Sequence, residues 1–320
     1  MNISVVICSV NRPNILHDTL LSILSQTHKP GEVLIVSPAK EHVLAKTREM
    51  PGVRFVLSPL GLTAQRNAGL ECINHDCDLV AFFDDDIELS ATYLENVERL
   101  FSENGDVLIA SGRLLHDGGR GTAITRDQAC ELCREYDRSP KPVAAARCIL
   151  SDSAYGCNMV VRYAATKGVR FDEGLPLYAW LEDRDYSHRI TKSRHHPVEF
   201  QGSVAVHLGS RSGRIGGVRM GFSEIVNPLY LWARNRTFPL RYIVVQYWIR
   251  CLVGNILGTL ARDSEYDRVG LLSGNLLGFT HLCHGLCDPA HITKLAASNP
   301  SPIPLAIVGE RSNDITKVAS

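Results

Sequence analysis

Two clusters of carboxylates stand out in this chain: Asp84-Asp85-Asp86, and Glu182-Asp183 with Asp185 close behind. The first follows five apolar residues in a row, Leu79-Val80-Ala81-Phe82-Phe83, the pattern of a strand buried on both faces of a parallel sheet. Adjacent carboxylates repel one another, so a cluster at a strand end makes sense when a cation joins them; the other reading is a solvated acidic loop leading into the next helix. The second cluster opens a helical stretch, 181–190, where acidic residues can serve as a base or merely complement the helix dipole. His207 ends an apolar strand at 204–207, and a glycine- and arginine-rich loop with Arg211, Arg214 and Arg219 follows it. A strand-end histidine can ligate a metal or sit as a satisfied structural residue. The loop can bind an anion or simply be solvated.

These groups need a scaffold, and the first hundred residues describe one. Strands are predicted at 3–8, 33–36, 53–57, 79–83 and 107–110. Helices are predicted after Pro13, at 41–49, from Thr63 as cap through 73, and from Ser90 as cap across Tyr93, Leu94, Val97, Leu100 and Phe101. Alternation of this kind argues for a doubly wound, mostly parallel α/β sheet, in which ligands bind beyond the carboxyl ends of the strands. Residues 112–155 lose the periodicity, and Gly118-Gly119-Arg120-Gly121 with Pro140 and Pro142 reads as a loop insertion over the site. A further strand is expected at 156–161.

Composition narrows the function classes. The 34 Lys and Arg residues balance 34 Asp and Glu residues over 320 positions, so no overall field draws the chain to nucleic acid. No GxGxxG follows the first strand, where Ser9-Val10-Asn11-Arg12 stands instead, and neither GxxxxGK[ST] nor HExxH occurs. That weighs against dinucleotide oxidoreductases, P-loop enzymes and zincins. The N-terminal run lacks a basic n-region and reads as a strand rather than a signal peptide. With ten cysteines, this predicts free thiols in a reducing, cytoplasmic setting. Cys130-x2-Cys133 has no second pair at zinc spacing, and the tract from His281 to Cys287 lies in an apolar segment, where buried thiols and histidines are the plainer reading.

The order of features resembles glycosyltransferase family 2, the inverting, nucleotide-sugar-dependent enzymes with a GT-A fold. The resemblance covers 2–240. Its carriers are Val5-Val6-Ile7-Cys8 with the Asn11-Arg12-Pro13 turn, Leu24-Ser25-Gln26-Thr27, and Gly61 to Gly69 (GLTAQRNAG). Phe83-Asp84-Asp85-Asp86, Glu182-Asp183 with Arg189, and Arg234-Asn235 complete the series. It implies that Asp84 and Asp86 match the DxD carboxylates and that Asp86, with His207, ligates Mg²⁺ or Mn²⁺, a hard cation suited to oxygen ligands and, for Mn²⁺, imidazole. It implies that Asp183 is the catalytic base and that Glu182 lies on the acceptor side. Ser9, Asn11, Arg12, Ser37, Arg66, Asp84, Asp85, Arg211 and Arg214 would bind the nucleotide and donor, the arginines of the 209–221 loop acting as a lid over the diphosphate. Taken alone, Arg66 also reads as an exposed helix residue. Ser37 stands where the family usually has a base-reading Asp, which leaves UDP, dTDP and GDP open. QxxRW is absent, so transfer of single sugars is expected. The implied partners are a nucleotide-sugar donor and a saccharide or lipid-linked acceptor in polysaccharide or glycolipid synthesis.

Two other function classes fit parts of the pattern. A metal-dependent nucleotidyltransferase would need a basic glycine-rich loop after the first strand, which Ser9 to Asn14 does not supply. A silent scaffold of the same fold would not need Asp84, Asp86 and Asp183.

The expected organisation is a catalytic domain over 1–237, a helical segment over 238–297, and a loosely ordered tail over 298–320. Arg250 splits the apolar run at 238–261, which with Tyr242, Tyr247 and Trp248 fits a helix lying at a membrane surface, the inner face, and equally a member of an ordinary buried helical pair packed on the catalytic domain. Gly270, Gly274 and Gly278 repeat at the spacing of close helix packing.

Overall fold

The computed structural model describes residues 1–138, 147–192, 195–211, 215–262 and 266–295. Pro140, Pro142, Arg214 and the expected tail lie outside the described residues. The elements are, in order, β1 Ile3–Cys8, α1 Pro13–Leu24, β2 Glu32–Ser37, α2 Ala45–Arg48, β3 Val53–Leu57, α3 Leu62–Cys72, β4 Leu79–Asp84, β5 Ile87–Leu89, α4 Tyr93–Glu103, β6 Ile109–Asp117, α5 Arg126–Arg138, β7 Cys148–Leu150, β8 Asn158–Arg162, α6 Tyr163–Thr166, α7 Glu182–Thr191, β9 Val198–His207 and α8 Gly217–Asn235. Two further helices, Leu240–Leu260 and Arg268–Cys283, follow. A π-helical turn over Ile243–Ile249 interrupts the first of them.

One sheet runs in the order β3-β2-β1-β4-β8-β6-β9-β5, with β7 on β9. It is mostly parallel: β3, β2, β1 and β4 run together, as do β6 and β9, while β8, β7 and β5 are antiparallel to their neighbours. The apolar runs of β1, β2 and β4 are buried because helices cover both faces. Leu16, Leu20 and Ile23 of α1 and Leu94, Val97 and Phe101 of α4 pack on one face. Leu70 of α3 and Tyr186 and Ile190 of α7 pack on the other, around Phe82 and Phe171.

Strand register positions the site. Cys8 of β1 pairs with Val36 of β2 and Asp84 of β4, so the loops after these strands open at one edge. Ile87 of β5 pairs with His207 of β9, which also pairs with Asp117 of β6. This one register sets His207 between the Asp84–Asp86 turn and the end of β6.

Several local expectations change. Thr63 lies inside α3, where its hydroxyl donates to the Leu175 carbonyl at 3.0 Å; Gly61, with φ of 138°, occupies the cap position. Ser90 does not cap α4 by its side chain, and its hydroxyl is buried without a partner. The 112–155 stretch is not a plain loop. It carries the end of β6, the amphipathic α5 and β7, which add to the sheet and its cover instead of forming only a lid.

Gly270, Gly274 and Gly278 fall in the Arg268–Cys283 helix as their spacing suggests, two of them on α8. A Cβ on Gly274 would lie 2.1 Å from the Val218 carbonyl oxygen, and one on Gly221 would lie 2.0 Å from that of Leu271. The two backbones meet at a distance only glycine allows. Leu240–Leu260 is long and apolar enough to cross a membrane by length and composition, although Arg250 interrupts it, and 17% of its apolar window is buried.

Candidate active site

Three ligand atoms, from Asp84, Asp86 and His207, lie within 4.8 Å of one another, a group that could hold a metal ion. Asp84 ends β4 and is partly exposed. Its two carboxylate oxygens lie 3.7 Å from His207 Nε2 and 3.7 Å from Arg66 Nη2. Asp86 is buried. One oxygen is 3.3 Å from His207 Nε2, and the other accepts from the Ser210 amide at 2.7 Å. Burial opposes the Asp86 charge, but the hydrogen bonds and charges of His207, Arg12 and Ser210 outweigh it and hold its carboxyl down to about 2.

The His207 ring is held from behind. Its Nδ1–H donates to Asp117 Oδ1 at 3.0 Å, which directs Nε2 towards Asp84 and Asp86. Burial works against the imidazolium, yet without a cation the hydrogen bonds to Asp117 and Asp86 raise the ring to about 10, so a cation held here would take the place of the Nε2 proton. The Tyr155 hydroxyl donates to the same Asp117 oxygen at 3.5 Å, and the Gly119 amide donates to it at 3.0 Å. Two carboxylates and an imidazole with its second nitrogen anchored make a donor set fit for a divalent cation. Asp117 and Tyr155 are missed by sequence reasoning: Asp117 is 90 residues from His207, and only strand register joins them.

Asp85 points the other way. It accepts from the Ser9 hydroxyl at 2.6 Å and from Arg12 Nη1 at 2.8 Å, so all three form an internal brace beneath the metal group. Burial lifts the Asp85 carboxyl to about 6 despite the charge of Arg12. Arg12 also donates to the Ser210 carbonyl at 3.0 Å, tying the β1 loop to the residues after β9. Asn11 is exposed and has φ of 58°, a left-handed turn that Asn tolerates better than most residues.

Arg66 is not an exposed helix residue. It is 2% exposed, reaching from α3 to donate to Glu182 Oε1 at 2.6 Å and to the Gly156 carbonyl at 2.8 Å. Its guanidinium stands 5.7 Å from the Phe82 ring centroid and 5.3 Å from that of Phe171. Burial opposes its charge, and Glu182 and Asp84 restore it, so Arg66 holds its proton more tightly than an ordinary arginine. Burial dominates at Glu182, whose Oε2 has no partner, and lifts its carboxyl to about 8. Glu182, expected on the acceptor side, lies in the interior against Arg66.

Asp183, at the start of α7, is half-buried. Its Oδ2 accepts from the Gly156 amide at 3.0 Å and its Oδ1 from the Arg184 amide at 2.8 Å. Gly156 is therefore a hub: its amide holds Asp183 and its carbonyl holds Arg66, which bonds Glu182 and faces Asp84. Before α7 the backbone takes left-handed conformations at Leu177, Ala179 and Leu181, with φ of 58°, 55° and 75°. Each such position costs about 1–3 kcal/mol in a non-glycine residue, and surrounding packing must enforce it. No sequence pattern announces this turn.

Ser37 is buried at the end of β2, its hydroxyl 3.5 Å from His42 Nδ1. Arg211 is exposed. Arg219 belongs to α8, not to a lid, and donates to the Leu295 carbonyl. Arg189 and Asn235, two carriers of the resemblance, converge on Asp185, which anchors α7 to α8. Among the described residues, the Asp84 group is the one set of three or more ligands that could hold a metal, so neither cysteine tract supplies such a set.

The family model for glycosyl transferase family 2 matches residues 4–169, just over half of the chain. Among solved structures, the crystal structure of GalNAc-T7 with UDP, GalNAc and Mn²⁺ is similar at a TM-score of 0.53 and 14% identity, covering 93% of this chain and 56% of that one. The crystal structure of S. aureus TarS is similar at a TM-score of 0.45 and 18% identity, covering 71% of this chain and 40% of that one. This chain thus spans only about half the length of the solved structures it matches. No curated protein matches it. The first likeness establishes the architecture as GT-A, and the family match extends across the Asp84–Asp86 cluster and Asp117. The chain belongs to glycosyl transferase family 2.

Proposed function

We propose that the protein moves one sugar from a nucleoside diphosphate donor to a hydroxyl of a saccharide or lipid-linked acceptor, with inversion, in polysaccharide or glycolipid synthesis. The observation that carries this reading is the Gly156 hub, which joins the half-buried Asp183 carboxylate to the Arg66 side chain facing Asp84.

In this reading Asp183 takes the proton of the acceptor hydroxyl as that oxygen attacks the anomeric carbon from the face opposite the diphosphate. Two backbone amides fix the Asp183 carboxylate, so its orientation does not have to be found during the reaction. Asp84, Asp86 and His207 would hold Mg²⁺ or Mn²⁺, which when bound neutralises charge on the diphosphate as the sugar–phosphate bond breaks. The Ser9–Asp85–Arg12 brace keeps the floor of this site rigid. Arg211 and Arg214 would meet the leaving diphosphate. Ser37, which stands where the family usually has a charged base-reading residue, has its hydroxyl buried beside His42, so UDP, dTDP and GDP stay as donors to be distinguished.

The catalytic unit spans 1–237 in this proposal, with 238–297 as a helical segment on its flank. We place the protein in the cytoplasm, peripheral on the inner face of the membrane. All ten cysteines are free, which supports a reducing setting.

The test is a thermal-shift panel of UDP, GDP and dTDP, each with and without Mn²⁺, run on the parent and Asp183→Asn. One nucleotide should stabilise both proteins, and only with metal. Asp183→Asn should then lose about 10²- to 10⁴-fold in transfer rate, the usual worth of a positioned base. Turnover as fast as the parent would remove Asp183 from the role, and no shift with any nucleotide would favour a catalytically silent scaffold.

A further inference from the structure

The helix Leu240–Leu260 has two apolar faces, and the protein covers one of them. On the covered face, Ile243 and Tyr247 are buried, Trp248 Nε1–H donates to the Ile225 carbonyl at 3.0 Å, and Asn255 donates to Glu224 at 3.0 Å. On the other face, Val245, Ile249, Val253, Leu257 and Leu260 recur at three- and four-residue spacing. Leu276 of the Arg268–Cys283 helix is exposed as well, and these six residues are between 48% and 75% exposed. From Phe238 to Arg262 the chain contains no Asp or Glu but carries Arg241, Arg250 and Arg262, all exposed. An apolar stripe accompanied by arginines and free of acid matches an anionic lipid surface in both respects.

We infer that this face lies in the headgroup region of an anionic bilayer, with the helix parallel to the membrane. Crossing is disfavoured by two observations. Arg250 sits at the helix midpoint, where a span would place it in hydrocarbon. The opposite face carries polar bonds to the catalytic body, which a span would have to break.

The geometry also ties this surface to the candidate base. Tyr247 and Tyr242 hydroxyls accept from Arg184 Nη1 at 2.6 Å and 3.1 Å, and the Arg184 amide donates to Asp183. The covered face of the helix is thereby bonded to the residue after Asp183, so seating the opposite face on lipid holds the candidate base close to that surface. That consequence rests on the proposed role of Asp183; the surface itself does not.

The test sediments the full chain with phosphatidylcholine vesicles, with and without phosphatidylglycerol. The parent should pellet with the phosphatidylglycerol vesicles, and affinity should fall about fivefold for each of Arg241 and Arg250 changed to Gln. The triple variant Val253→Ser, Leu257→Ser, Leu260→Ser should stay in the supernatant while keeping its melting temperature and any metal-dependent nucleotide shift. A parent that stays in the supernatant, or a triple variant that still pellets, would overturn the inference. So would binding that survives high salt and carbonate, which marks a span. Concentration-dependent self-association lost in the triple variant, without vesicle binding, would assign the stripe to a second copy of the chain instead. Because vesicle binding is read without turnover, its loss and a failure of the proposed chemistry give separate results.

Discussion

The Nδ1–H of His207 donates to Asp117 Oδ1 at 3.0 Å, and the same carboxylate oxygen accepts from Tyr155 and from the Gly119 amide. An acceptor on Nδ1 fixes the tautomer and the ring plane, leaving Nε2 as the nitrogen aimed at Asp84 and Asp86. Asp117→Asn keeps the size of the side chain but offers His207 a weaker partner. Mn²⁺ affinity should fall about 10- to 100-fold, as for other partners of metal-bound histidine. The free Mn²⁺ signal in an electron paramagnetic resonance titration reads this directly. Equal affinity in parent and variant would mean that Asp117 only fills space.

Arg66 and Glu182 make the second buried pair. Above about pH 8, where Glu182 is ionised against Arg66, removing one partner of the buried pair costs about 3–5 kcal/mol, because the other charge is left without compensation, whereas apolar replacement of both is often neutral. Arg66→Met should therefore lower stability by that order, and Arg66→Met with Glu182→Leu should recover part of the loss. Urea denaturation of the three proteins above pH 8 measures both steps. A double variant no more stable than Arg66→Met would show that the bond from Arg66 to the Gly156 carbonyl, and not the ion pair, dominates.

Glu182 also sets a pH dependence. Burial raises its folded-state carboxyl from an ordinary 4.5 to about 8. Between these values the folded protein keeps a proton that the unfolded chain has released, so this group takes stability away as pH rises through the window. Glu182→Gln cannot ionise and should flatten that decline. The stability gap between variant and parent should thus move in favour of Gln from near pH 4.5 to near pH 8. Parallel stability profiles would place the Glu182 carboxyl at its ordinary value in the folded protein.

What was legible beforehand follows the range of the interactions. The 79–83 strand and the acids after it are contiguous, and so are Glu182 and Asp183 at the start of α7, so local pattern is enough to find them. His207 was visible as a strand end, but Asp117 becomes its partner only through the parallel pairing of β6 with β9. Ile87–Leu89 is three residues long, too short for a period to show, yet its pairing brings His207 to Asp86. The resemblance puts Arg66 beside the nucleotide and its local sequence reads equally as an exposed helix residue; neither shows its counter-charge, Glu182, which lies 116 positions away. The Ser9–Asp85–Arg12 brace was hidden for the same reason: the three side chains meet only because β1 and β4 are adjacent.

Gly156 is the most exacting position in the site. A Cβ there would lie 3.1 Å from Glu182 Oε1, 3.2 Å from Asp183 Cβ and 3.3 Å from Arg66 Nη2. None of these atoms belongs to the backbone, so Gly156→Ala should fold, with the neighbours displaced by a few tenths of an ångström. Asp183 Cβ is the stiffest of the three, and its displacement moves the carboxylate that the proposed mechanism uses as base. Since a misplacement of ~1 Å costs about 10²-fold in rate, kcat should fall roughly tenfold for this smaller shift. Gly105→Ala is the control for losing a glycine, because a Cβ at that position meets nothing within 4 Å. Steady-state rates for the two variants, with melting temperatures beside them, separate a displaced base from a weakened fold. If Gly156→Ala lowers the melting temperature and leaves kcat at the parent value, Gly156 serves packing and the hub does not govern the chemistry.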